Sequence, residues 1–222
     1  KEFVYSHQPS LCPERAEIFT DSFRLTEGQP VALRRARAFE AVLAGMSVYI
    51  SPEELVVGNQ ARKPRSAPIF PEFNVDWIER ELVELPGRVL DPFQVDESTG
   101  KVLRRIGRYW KGKTHHDRTR SLVRALLPED LLRAYDFDTH AFDQVVSNRR
   151  MNDGDGHIIA NYRRILETGL LEVVREAEAE AAKLDLRGAE GQEKRLFLES
   201  LGIACSAAVS FARRVAAEAR RL

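Results

Sequence analysis

The stretch Leu201–Leu222, LGIACSAAVSFARRVAAEARRL, decides the fold class. Leu201, Cys205, Ala208, Ala212, Val215, Ala219 and Leu222 recur alternately four and three residues apart. That period belongs to a helix with one buried seam and is incompatible with a strand. The seam residues are mostly small, so a partner helix must approach closely. Cys205 lies on this seam among alanines and reads as a packing residue, because a reactive cysteine needs an exposed, electropositive setting. The pattern still runs at Leu222 without a Gly or Pro stop signal, which predicts that the polypeptide continues beyond it. Lys1 in place of Met predicts further sequence upstream.

Working outward, the same period is found again. Ile158, Tyr162, Ile165, Leu166, Val173, Ala177 and Ala181 predict a second long helix beginning at Ile158. Its EAEAEAA segment reads as a solvated face. Further helices are predicted over 13–25 with Pro13 at its first position, and over 29–46, with Gly28 between them. Others are predicted over 76–85, ended by Pro86-Gly87, and over 96–111, 115–127 and 128–135. Ser51-Pro52-Glu53-Glu54 carries a capping signature for a short turn. Leu55-Val56-Val57-Gly58-Asn59 then reads as a brief buried strand. Residues 60–73, with three prolines, read as extended and irregular. No internal repeat is visible. The chain is therefore mainly α.

Composition narrows the function classes. The 34 basic and 34 acidic residues cancel to zero formal charge, which argues against nucleic acid as a partner. No apolar run approaches bilayer length, and the first residues lack the basic-then-apolar pattern of a secretory signal. Two distant cysteines form neither a disulfide framework nor a metal motif, so a reduced, intracellular chain is expected.

Four local patterns could carry chemistry. Gly107–Thr114, GRYWKGKT, matches a phosphate-loop pattern by letter, but a charged helical run precedes it and bulky residues fill it. Thr114 reads instead as the cap of the next helix. His115-His116-Asp117 reads as a surface helix start, because neighbouring histidines point about 100° apart and rarely share an ion. Cys12, just before a helix, reads as a loop thiol. Asn152–His157, NDGDGH, lacks the spacing of a calcium loop. Two readings of it stay open. One is a glycine turn with Asp155 as cap. The other is a close backbone approach in which His157 faces a ligand.

Three stretches together resemble a known family. ELVVGNQARKPRSAPIFPEF (Glu54–Phe73), YWKGKT (Tyr109–Thr114) and GDGHIIANYRRIL (Gly154–Leu166) are similar, in order and spacing, to the N-terminal part of glycyl radical enzymes. These form the pyruvate formate-lyase family, and the likeness is strongest to its dehydratase and decarboxylase branch. It extends from about Pro13 to Leu222. The resemblance implies that residues 1–222 are the N-terminal portion of one such domain, truncated at the C-terminus. That portion is an outer helical layer plus one or two short strands of the family's α/β barrel. It implies an anaerobic, cytoplasmic enzyme, usually a homodimer, that cleaves a C–O, C–N, C–S or C–C bond of a small substrate. A glycyl radical generates a thiyl radical on a cysteine inside the barrel. A separate activating enzyme, using S-adenosylmethionine and an iron–sulfur cluster, installs the glycyl radical.

The resemblance also bears on single residues. It places His157 beside the substrate cavity, with Asp155 and Asn161 as companions. Pyruvate formate-lyase carries an arginine at the position of His157, which suits a carboxylate. Histidine suits a hydroxyl or carbonyl, so a diol-dehydratase-type lyase is the expected activity. An acyltransferase like pyruvate formate-lyase is the rival enzyme. A helical binding or scaffold module is the rival outside catalysis. The family's GCVE-like and RVxGY-like radical motifs do not occur in these 222 residues. No catalytic residue, metal ligand or cofactor contact is therefore expected in this segment, which is inert alone. Its expected partners are a small substrate, the activating enzyme and the rest of its own barrel, without nucleic acid or membrane.

Overall fold

The computed structural model describes residues 5–51, 54–136, 141–142, 146–147 and 160–222. The chain divides into two compact units, Lys1–Pro68 with Ile159–Leu222, and Ile69–Ile158.

The first unit is built on helices. A short strand β1 (Ser10–Cys12) pairs in parallel with β2 (Ser66–Pro68), with Ser10 opposite Ser66 and Cys12 opposite Pro68. Both escape sequence reading, because three residues show no period and Pro68 normally argues against a strand. Pro68 is tolerated at the last position of a two-stranded edge. Helix α1 (Glu14–Leu25) follows at once and buries Ala16, Phe19, Thr20 and Phe23. Phe19 and Phe23 stack with centroids 4.8 Å apart, covered by the guanidinium groups of Arg15 and Arg34. Helix α2 (Val31–Gly45) lies against α1 and buries Ala36, Ala38 and Val42.

The region read as a strand at Leu55–Asn59 is not one. The backbone bends at Leu55 and Val56, and no strand among the described residues lies alongside. The ordering there comes from the side chain of Asn59, described below. Cys12 is likewise no loop thiol. It is 3% exposed within β1 and its sulfur accepts the Arg62 N–H at 3.4 Å.

The second predicted long helix is two. Asn161 caps α7 (Tyr162–Glu167) by accepting from Arg164 N–H at 3.1 Å. Gly169, at φ 78°, then breaks the path before α8 (Leu170–Ala181). Only glycine takes that left-handed angle without steric cost, so a pattern of apolar spacing alone overlooks the interruption. The expected start at Ile158 lies outside the described residues.

The last helix, α9 (Ala189–Arg221), has 33 residues and packs against both α2 and α8. Of the predicted seam only Val215 is buried; Ala207, the other buried position of the helix, lies off that seam, and Ala212, Ala219 and Leu222 are exposed. This helix is long and apolar enough by composition to cross a membrane, with a mean hydropathy of 1.4 over an 18-residue window, contrary to the sequence expectation. The contacts make it a bundle helix here. Arg214 reaches from α9 to the C-terminal end of α2 and donates to the carbonyls of Leu43 (2.6 Å) and Met46 (2.8 Å), satisfying groups that a helix end leaves open.

One contact in this unit gives a direct test. A Cβ built on Gly191, in the first turn of α9, would lie 1.9 Å from the Asp185 carbonyl oxygen. Backbone cannot yield as a flexible side chain does. Gly191→Ala is therefore expected to cost about 2–3 kcal/mol, read as a lowered thermal midpoint. Gly188→Ala, with open space around it, should cost much less.

The second unit holds α3 (Asp76–Arg80), α4 (Glu97–Trp110), α5 (His115–Leu126) and α6 (Glu129–Ala134). Three two-residue strands, β3 (Tyr135–Asp136), β4 (Ala141–Phe142) and β5 (Val146–Ser147), form an antiparallel ladder. The predicted helix over 76–85 closes early. It ends at Arg80, and turns lead into a single 3-10 turn at Leu85–Gly87 that holds Pro86 near its start. Ile78, Leu82, Leu85, Leu103, Ile106 and Trp110 form the core. Leu103, Ile106 and Trp110 stand three and four residues apart on one face of α4, as its period requires.

Candidate functional site

The three stretches that carry the family resemblance have distinct local roles. In the first, Asn59 is 9% exposed and ties together two passes of the chain. Its amide donates to the carbonyls of Ser47 and Ala61, each at 2.7 Å. Its oxygen accepts from Tyr49 N–H at 3.2 Å. Beside it, Glu14 sits buried in the first turn of α1, where the helix dipole favours a carboxylate. Glu14 accepts from Ser47 Oγ (2.6 Å), Ser47 N–H (3.1 Å) and the Arg62 guanidinium (3.3 Å). Arg62 is mostly exposed, so its ion pair with Glu14 is screened and the neutral donors do most of the holding. Burial, followed by the charges of Glu54 and Cys12, raises the Tyr49 phenol above its ordinary value. The phenol thus stays neutral. Its contribution to stability is complete below the ordinary tyrosine range and is lost as pH rises through the raised value.

Sequence reading missed this clasp. Glu14 and Ser47 are 33 residues apart, and Glu14 and Arg62 are 48 apart. No local period links such residues. A polar Asn after a Gly, at the end of an apolar run, is the only signal that could have drawn attention to it.

The second stretch is a helix end and not a phosphate loop. Gly112, at φ 79°, terminates α4, and Lys113 folds back over the Tyr109 ring at 4.0 Å. Thr114 caps α5 in a reciprocal capping box with Asp117, as expected. The first N–H groups of α5 are taken by the first stretch. His115 N–H donates to the Glu72 carbonyl at 2.8 Å, and His116 N–H to the Phe73 carbonyl at 3.0 Å. His116 is not the surface residue expected. It is 3% exposed, with Nε2 3.7 Å from Asp76 Oδ2, while Arg120 reaches the same oxygen at 3.3 Å. Among the described residues no group of His, Cys, Asp and Glu could hold a metal ion.

Of the predicted substrate contacts, Asp155 and His157 lie outside the described residues. Asn161 is described, exposed, and commits its side-chain oxygen to the cap of α7. The polar clusters and helix ends described here show how these stretches are held. Comparison with known proteins supplies the identity.

The family described as pyruvate formate lyase-like matches residues 1–222. The chain belongs to this family. Among curated relatives of this pyruvate formate lyase-like chain, the probable dehydratase YbiW of Escherichia coli K12 is 31% identical over 99% of the chain and 26% of its own length. A solved structure describing 1,2-propanediol dehydration in Roseburia inulinivorans superposes with TM-score 0.81 and 34% identity, covering 95% of this chain and 24% of that one. A glycyl radical enzyme from Archaeoglobus fulgidus superposes with TM-score 0.80 and 30% identity, covering 94% and 26%. The chain spans about a quarter of the length of these relatives. The mainly helical architecture with a short parallel strand pair accords with the expected fold class.

Proposed function

We propose that the chain is the N-terminal portion of a pyruvate formate-lyase-type domain in an anaerobic, cytoplasmic glycyl radical lyase of the diol-dehydratase type. The observation that carries this reading is the superposition, at 34% identity over 95% of the chain, on a structure concerned with 1,2-propanediol dehydration. The relation to a probable dehydratase over 99% of the chain supports it independently. The glycyl radical, installed by an activating enzyme that uses S-adenosylmethionine and an iron–sulfur cluster, would supply hydrogen-atom abstraction from a carbon of the substrate by way of a cysteine thiyl. This chain's part is to bind and orient. Glycine at positions 154 and 156, having no Cβ, suits close approach of backbone to a ligand. His157 hydrogen-bonds the substrate hydroxyl, and Asp155 and Asn161 flank it. Histidine in place of a guanidinium removes the fork that would select a carboxylate.

The test is activation of the full-length enzyme under anaerobic conditions, followed by a panel of small substrates. Dehydration of a vicinal diol or a related hydroxylated compound, with water released, is the expected outcome. Formate release from pyruvate and coenzyme A, without dehydration, would replace this reading with the acyltransferase one.

A further inference from the structure

Leu55 and Val56 are 96% and 90% exposed, although their sequence, Leu-Val-Val, has the pattern of a buried segment. Exposed single aliphatics are ordinary, whereas two adjacent ones at one bend form a small apolar patch. The turn is fixed. Glu54 N–H donates to the Ser51 carbonyl at 3.2 Å, and Ser51 N–H donates to the Glu54 carboxylate at 2.7 Å. Below it, the Asn59 side chain ties Tyr49 to Ala61. The tip is thereby held away from the core of its own unit, with the ordering cost of presenting it already met. Residues 55–58 carry no charge, so nothing at the tip steers a transient partner. An uncharged, preformed apolar tip suits a permanent interface, which is built like a domain core cut in two.

We propose that Leu55 and Val56 are an anchor that seats in an apolar pocket of the same polypeptide, within the three quarters of the relatives' length that this chain does not span. This rests on the reading of the chain as the N-terminal portion of a longer glycyl radical enzyme. The pocket would be lined by aliphatic or aromatic side chains and would join the Asn59 clasp to the remainder of the fold.

The experiment uses the full-length enzyme carrying Leu55→Cys, treated with a maleimide and read by peptide mass. The expected result is labelling about 100-fold slower in the native protein than in the denatured one, as for a site that reacts only on local opening. Labelling at nearly the denatured rate overturns the anchor. Shielding that disappears on dilution to the monomer also overturns it, in favour of a second copy as occupant. Amide hydrogen exchange of residues 54–58 in the unsubstituted enzyme gives the same answer without a substitution, protected if the anchor is seated and fast if it is free. Neither readout requires the radical, so loss of the proposed lyase activity and loss of the anchor are separately visible.

Discussion

Asn59→Ala is expected to destabilise the segment from Ser47 to Arg62 by about 3 kcal/mol, within a range of roughly 2–5. The side chain makes three hydrogen bonds in a setting only 9% exposed. Alanine removes all three. It leaves the carbonyls of Ser47 and Ala61 and the N–H of Tyr49 short of a partner, with too little space to rehydrate freely. The penalty for unsatisfied groups exceeds the net worth of the bonds themselves. Hydrogen exchange is the measurement, because it reports local opening where a whole-molecule midpoint does not. Three kcal/mol corresponds to a loss of protection on the order of 10²-fold across residues 47–62. Asn59→Asp is the informative second variant. It keeps the acceptor for Tyr49 but loses both amide donations and introduces a buried charge, so it should be no better than alanine. Glu14→Gln should fall well short of either. Gln can still accept from Ser47, and the exposed Arg62 pair contributes little.

In the full-length enzyme, His157→Ala is expected to lower turnover about 100-fold while leaving the yield of glycyl radical unchanged. Under the proposed function this side chain holds a substrate hydroxyl, and loss of a positioning hydrogen bond costs rate on that order. Electron paramagnetic resonance after activation measures the radical, and product analysis measures turnover. Equal kinetics for His157→Ala and the parent would remove His157 from the site. A parallel fall in radical yield would point to folding instead. His157→Gln retains a donor at similar reach and should recover part of the rate, which a purely structural role would not produce. A shift of substrate preference toward a carboxylate in His157→Arg would support the contrast with a guanidinium at this position.

The sequence by itself determined whatever is written in short-range pattern. The period of Leu201–Leu222 fixes a long helix, and the structure forms one over Ala189–Arg221. Thr114 and Asp117, three residues apart, specify the capping box at α5, because the bonds join neighbours along one turn. Bulk in GRYWKGKT already argued against a phosphate loop, and Gly112 ends a helix there. The joint order of three motifs also pointed to the family that the comparisons establish. The seams gave periods, but glycine at a left-handed angle breaks a helix without disturbing apolar spacing, so α7 and α8 read as one.

Only the tertiary structure decided the rest, for a physical reason common to each case. A strand needs a partner, and the partner of Ser66–Pro68 is 56 residues away at Ser10–Cys12. Leu55–Asn59 has strand-forming residues and no neighbouring strand among those described, so it bends and leaves its aliphatics exposed. Burial of Glu14, Asn59, Cys12 and His116 likewise depends on segments elsewhere in the chain that bring polar partners to them. Propensity and periodicity are properties of a single stretch. Whether a polar group is buried and satisfied, or an apolar one is covered, belongs to the stretches that meet it.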